Sequence, residues 1–330
     1  MGAGIRAARR RVLTPGLPAT SLDGRGFHPK DAAAQELLTE IGRTYRAGFG
    51  SAAGARAPAD VEPDLEAVPT RYRGFAYEGA AMGFAVRDGL PLGRHDLLEE
   101  FLRGRAADHA SMAWSGAGWA MARLPRARWV RPDRLDPLLR WHTLDGYGFH
   151  QAYFRTRRYV GDRARAARFP WPGGDSPDGY PHRAIDQGIG RALWFVGGAD
   201  AWRVAALIDT FPAHRRADLY SGAGLAATYA GGASADELVR FREGSGEHCG
   251  QVALGSAFAA EARVRAGLVG PETELATEIL CAVSPAEAAR VTRTLRPNPA
   301  DIDDDGAGVP AYETWRQRVA TALVPGGARR

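Results

Sequence analysis

A stretch of fourteen residues returns 34 positions later in this chain with half of its positions unchanged. Gly188-Ile-Gly-Arg-Ala-Leu-Trp-Phe-Val-Gly-Gly-Ala-Asp-Ala201 is echoed by Gly222-Ala-Gly-Leu-Ala-Ala-Thr-Tyr-Ala-Gly-Gly-Ala-Ser-Ala235, and Phe195 is matched by the aromatic Tyr229. Self-similarity at this period is what stacked helical hairpins leave in a sequence, because one hairpin is too small to bury its own apolar face. A shorter form of the pattern is Gly, one residue, then Gly or Ala, followed by apolar and aromatic residues. It stands at Gly79, Gly116, Gly146, Gly188, Gly222 and Gly255. Glycine inside a helix costs up to ~1 kcal/mol relative to alanine, so its repeated use requires a cause. Close approach of neighbouring helix backbones supplies one. Six such helices predict either an open solenoid or a closed ring around a cavity.

Local signals agree with helix throughout. Asp31 can cap a helix whose apolar stripe is Ala34, Leu37, Leu38, Ile41 and Tyr45. Gly197-Gly198 can stop one helix and Asp200 can cap the next, which ends near Pro212. Gly231-Gly232 repeats the stop, and Ser234 with Glu237 makes a capping box. Ser284-Pro-Ala-Glu287 is a second box, with proline at the first helical position. A last short helix carries Tyr312, Trp315, Val319 and Leu323. Alternating apolar and polar segments are nearly missing. The predicted class is all-α, with repeated αα-hairpins of about 34 residues in the second half. Residues 1–30 read as an irregular basic arm and 31–330 as one helical repeat domain. Loops fall around 51–69 and 169–181, a candidate sub-division near residue 175, and an acidic loop over 298–308.

Composition narrows the function classes. The net charge is +5, and of the 43 basic residues only Lys30 is a lysine. Arginines cluster at 6–11 and 155–168, but no nucleic-acid-binding motif accompanies them, so no nucleic-acid partner is expected. Cys249 and Cys281 have no paired-ligand spacing and read as buried small hydrophobes. The longest weakly apolar run, 110–122, is too short to cross a bilayer. No secretory signal pattern is present, and a cytoplasmic protein that does not span the membrane is expected.

Gly222-Ala-Gly-Leu-Ala-Ala227 fits a loose dinucleotide pattern, but no strand precedes it and the repeat accounts for its glycines, so no cofactor-binding residue is assigned. Walker, nucleophile-elbow and zinc-protease motifs do not occur. What remains is a polar and aromatic set on apolar segments. His142 and Asp145 lie three apart and His182 and Asp186 four apart, each about one helical turn. A His–Asp pair can orient a general base, and the four together could hold a metal. A cap or structural hydrogen bond is the simpler use of such a pair. His142, Asp145, His150, His182 and Asp186 form the candidate catalytic set. Glu78, Tyr147, Phe149, Trp194 and Tyr229 form the candidate substrate-binding set, with Tyr153 and Phe195 beside them. Glu78, in the most apolar segment of the first half, needs water or a partner such as Arg73. Seven of these, Glu78, His142, Asp145, Tyr147, His150, His182 and Asp186, are expected to border one pocket. His248-Cys249 carries little weight as a nucleophile and base, since adjacent helical residues diverge by about 100°.

Five segments carry a resemblance over most of the chain: Arg25-Gly-Phe-His28, Tyr72-Arg-Gly-Phe-Ala-Tyr-Glu-Gly-Ala-Ala-Met82, Asp145-Gly-Tyr-Gly-Phe-His150, Asp186-Gln-Gly-Ile-Gly-Arg-Ala-Leu-Trp-Phe195 and Gly222-Ala-Gly-Leu-Ala226. They resemble the bacterial family catalogued as domain of unknown function 1702, whose members are encoded in enediyne polyketide gene cassettes. The resemblance implies work on, or delivery of, the linear polyene from an iterative polyketide synthase. It brings no catalytic assignment with it. Two readings follow, and the sequence leaves open whether the protein is an enzyme. One is an accessory biosynthetic protein that binds and processes a hydrophobic polyene or polyketide intermediate in a helix-lined cavity. The other is a non-catalytic adaptor that assembles other proteins of the same cassette.

Overall fold

The computed structural model describes residues 3–14, 23–91, 94–298, 302 and 309–323, and every regular element among them is helical. In chain order the α-helices are α1 (Ala3–Leu13), α2 (Ala32–Gly54), α3 (Glu62–Glu66), α4 (Thr70–Asp88), α5 (Leu97–Arg103), α6 (Ala110–Met121), α7 (Arg140–Phe154) and α8 (Tyr180–Val196). They continue with α9 (Ala201–Asp209), α10 (Ala213–Tyr229), α11 (Ala235–Gly244), α12 (Cys249–Arg265), α13 (Pro271–Cys281), α14 (Pro285–Thr294) and α15 (Ala311–Ala322). Helices α2, α4, α6, α7, α8, α10 and α12 form an inner row, each packed on the next. From α8 onward the short helices α9, α11 and α13 pack on one another in a second row.

The caps act where the side-chain chemistry places them. The Asp31 carboxylate accepts from the Ala34 amide, Asp200 from Arg203, and Ser234 with Glu237 closes a reciprocal box. Ser284 accepts from Glu287, but the Glu287 carboxylate turns to Arg290 instead of back to the cap. Residues 169–179 form no α-helix, and α8 starts at Tyr180 with Pro181 in its first turn. Two expectations need correction. The basic start is not wholly irregular: α1 packs on α2, and Arg9 donates to the carbonyls of Ala53 and Ala55 at 2.5 and 2.7 Å. Those carbonyls close the C-terminal end of α2, where a guanidinium is favoured by the helix dipole. The 51–69 stretch is likewise partly helical, because Pro58 and Pro63 each open a short turn that proline fits. Most of the acidic 298–308 loop lies outside the described residues.

The inner row is fastened by glycine. A Cβ built on Gly79, Gly116, Gly146, Gly188, Gly222 or Gly255 would overlap a carbonyl oxygen of the preceding inner helix, that of Tyr45, Glu78, Ser115, Asp145, Gln187 and Ser221 respectively. The second glycine of the motif does the same to the following helix. Gly118 meets Thr143, Gly148 meets Ile185, Gly190 meets Leu219 and Gly224 meets Val252. The helix-propensity cost of these glycines is offset by backbone contact that no side chain would permit. The row also bends back on itself. The His28 amide donates to the Val196 carbonyl and the Lys30 ammonium to the Gly232 carbonyl, both at 2.9 Å. Phe75 of α4 meets Tyr229 of α10 edge-on at 5.2 Å. Helices α2 and α4 therefore face α8 and α10 across the interior.

Candidate functional site

The interior between those helices is a cavity of about 530 Å³, within the range of small-molecule sites. Its wall follows from the glycine register. The third residue after five of the six motif glycines lines it (Met82, Trp119, Phe149, Arg191, Leu225), and so does the seventh after four of them (Arg123, Tyr153, Phe195, Tyr229). Residues three and seven apart share a helix face, so a glycine that fixes the contact edge also aims these side chains inward. Helix α2 adds Ile41, Tyr45 and Phe49, and α4 adds Phe75. The aromatic rings touch one another: Tyr45 and Trp119 at 4.5 Å, Trp119 and Phe149 at 5.0 Å, Phe149 and Phe195 at 5.3 Å.

One buried polar cluster forms the floor. Glu78, Ser115 and Asp145 each stand immediately before a motif glycine, on α4, α6 and α7, and Arg191 of α8 reaches all three. Ser115 Oγ donates to Glu78 Oε1 at 2.6 Å. Arg191 Nη1 donates to Ser115 Oγ at 2.9 Å and to Asp145 Oδ1, and Nη2 reaches Glu78 Oε1 at 3.4 Å. One guanidinium cannot balance two buried carboxylates, and burial raises the pKa of both Glu78 and Asp145 despite Arg191. Against burial, Asp145 and Glu78 raise the pKa of Arg191 and hold its charge. Both carboxyl groups are therefore easier to protonate here than in water.

Three other polar groups of the wall have no protein partner. His150 Nδ1, Trp119 Nε1 and the Tyr229 hydroxyl are buried without a hydrogen bond. Burial, then the charges of Arg123, Arg155 and Arg25, push the His150 pKa down to about 3, so its imidazole is neutral. Buried polar groups are normally paired, and three unpaired ones on one apolar wall suit a ligand.

A family model for a protein of unknown function, DUF1702, matches residues 4–323. The chain belongs to this family. No curated protein and no solved structure matches it.

Of the candidate residues, Glu78, Phe149, His150 and Tyr229 line the cavity, and Asp145 joins them through Arg191. His142 lies on the far side of Arg191, beside a separate pocket of about 30 Å³, with its ring edge-on to Tyr312. Burial and then Arg191 push its pKa down to about 3. Tyr147 packs against Trp129 and Phe169 instead, and Trp194 donates to the Gly231 carbonyl in the core. His182 meets Phe169, while Asp186 is gripped by Arg215 at 2.6 and 3.0 Å. The seven residues expected around one pocket therefore do not gather there. Neither aspartate bonds the histidine of its own motif, because arginines from neighbouring helices bind carboxylates in a geometry an imidazole cannot match. Glu78 likewise pairs with Arg191, while Arg73 goes to Glu66. Among the described residues no three His, Cys, Asp or Glu side chains could share a metal, and no helix is long and apolar enough to cross a membrane.

Arg191, Tyr45, Trp119, Arg123 and Arg155 also line the cavity and are not among the candidate site residues of the sequence. Arg191 carries a signal in the sequence. It stands where the echoing motif has Leu225, a charge at a position that is otherwise apolar, and both residues line the cavity.

Proposed function

We propose that the protein binds a linear conjugated polyene in this cavity, as an accessory component of enediyne polyketide formation in the cytoplasm. The carrying observation is the wall of touching aromatic rings with unpaired polar groups set into it. Extended π-systems gain from offset and edge-on packing beyond simple burial. The enediyne context comes from the sequence resemblance. With it we infer that the inner helices are one repeat curled into a ring, since the same glycine contacts recur along the row. Glu78 is the acid–base group of the wall: with Oε1 accepting from Ser115 and Arg191, the other carboxyl oxygen is the one to exchange a proton with a bound chain. The adaptor reading draws on Trp202, 75% exposed on α9, a single residue set against a whole cavity.

Incubating the purified protein with the polyene released by the synthase tests the reading. A shifted polyene absorption band that saturates at one ligand per chain is expected. A changed mass would add chemistry to binding. An unshifted spectrum and no retained polyene after gel filtration would overturn it.

A further inference from the structure

The polyene reading leaves the charges at the cavity mouth unexplained. Arg123, just past the end of α6, and Arg155, just past the end of α7, both line the cavity and are exposed. Neither has an ion pair with a carboxylate among the described residues. Glu78, the one acid on the wall among the described residues, bonds Ser115 and Arg191 at the floor through Oε1. Arg25 adds a third cation over the Tyr153 and Phe154 rings, 4.8 and 4.4 Å from their centroids. In the adjoining groove Arg25, Arg155, Arg157 and Arg158 face, among the described residues, a single acid, Asp162.

Cations at the C-terminal ends of helices offset the helix dipole, and that alone could account for two arginines. It does not account for His150. This imidazole is 8% exposed, sits on the same wall, and its Nδ1 has no partner. A hydrocarbon would leave that nitrogen unsatisfied and the arginines facing only water. A carboxylate at the mouth would satisfy both, since guanidinium groups bind it with charge-assisted bonds and a neutral imidazole can donate to its second oxygen.

We infer that the cavity takes an unsaturated chain ending in a carboxylate, the chain along the aromatic wall and the carboxylate held by Arg123 and Arg155 beside His150. The inference rests on the cavity being a polyene site and specifies the end group of its ligand. It also sets the orientation: the apolar end lies toward the floor at Glu78 and Arg191, and the charged end stays at the mouth, where solvent lowers the cost of its desolvation.

Parinaric acid, a fluorescent conjugated tetraene fatty acid, and its methyl ester form a matched pair of probes. Titrated into the full chain, the acid should bind at least roughly tenfold more tightly than the ester, a difference of about 1.4 kcal/mol. The acid's advantage should shrink as salt rises. In Arg123→Gln/Arg155→Gln the acid should fall to the ester's affinity, with the ester changing less than about twofold. Equal binding of acid and ester by the unaltered protein overturns the carboxylate inference and leaves the cavity reading standing. An acid preference that survives loss of both arginines overturns the assignment to them. Failure of both probes to bind removes the cavity reading and this inference together.

Discussion

Replacing Gly190 with alanine puts a methyl group where α8 touches α10. Built on the Gly190 backbone, that carbon overlaps the Leu219 carbonyl oxygen and comes within 2.8 Å of Leu219 Cα. Both are main-chain atoms, so no rotamer change clears them. The helices must part by roughly 1 Å to restore ordinary contact, the kind of overpacking that costs ~1–3 kcal/mol. Gly222 of α10 backs onto Gln187 of α8, so the same displacement loosens a second contact. Alanine returns up to ~1 kcal/mol of helix propensity, leaving a net loss of up to about 2 kcal/mol. A chain of this length unfolds with an entropy of ~0.7 kcal/mol/K, from ~2.1 cal/mol/K per residue, so the midpoint should fall by up to about 3 °C. Gly244, the last residue of α11, has nothing within 4 Å of its notional Cβ. Gly244→Ala should leave the midpoint unchanged or raise it by up to ~1 °C. Scanning calorimetry on the two variants and the parent protein reads both shifts. If Gly190→Ala melts at or above Gly244→Ala, the account of the glycines as backbone contacts is wrong.

Two further outcomes follow from the buried charges. Arg191→Leu, which copies the residue at 225, strips Glu78 and Asp145 of their cation and should cost about 3–5 kcal/mol in urea unfolding. Adding Glu78→Gln and Asp145→Asn should recover at least half of that loss, and no recovery would refute the compensation argument. His150 stays neutral in the fold with its pKa near 3, while the unfolded chain takes up that proton near 6.5. The unfolded state then binds more protons below neutrality, so this residue's contribution is intact above pH 6.5 and is lost as pH falls toward 3. Linkage puts the loss at about 2 kcal/mol by pH 5. The raised carboxyl pKa values of Glu78 and Asp145 act in the opposite direction, so the His150→Phe variant is needed to isolate the effect. Its stability should fall less than the parent's between pH 7 and 5, by about 2 kcal/mol, and identical pH profiles would show that His150 is not buried neutral.

Helix, caps and the glycine register are set by residues within a turn or two of each other, and so they can be read from the chain. Asp31, Asp200 and Ser234 cap because a short oxygen side chain reaches the amide three residues on. The six motif glycines mark six inner helices because a missing Cβ is local information about a close neighbour, although it does not name that neighbour. Even the inward face is implicit, three residues past five of these glycines and seven past four. Partnership is not local. Glu78 meets an arginine 113 positions away, and Asp186 prefers Arg215 to the histidine one turn before it. Which groups share the floor, and whether Phe149, Tyr153 and Tyr229 pack as core or line a cavity, depends on α2 and α4 returning to face α8 and α10. That closure is made by contacts such as His28 to Val196 and Phe75 to Tyr229. Such contacts are selected by the summed burial of the whole row, so no single stretch of sequence carries them.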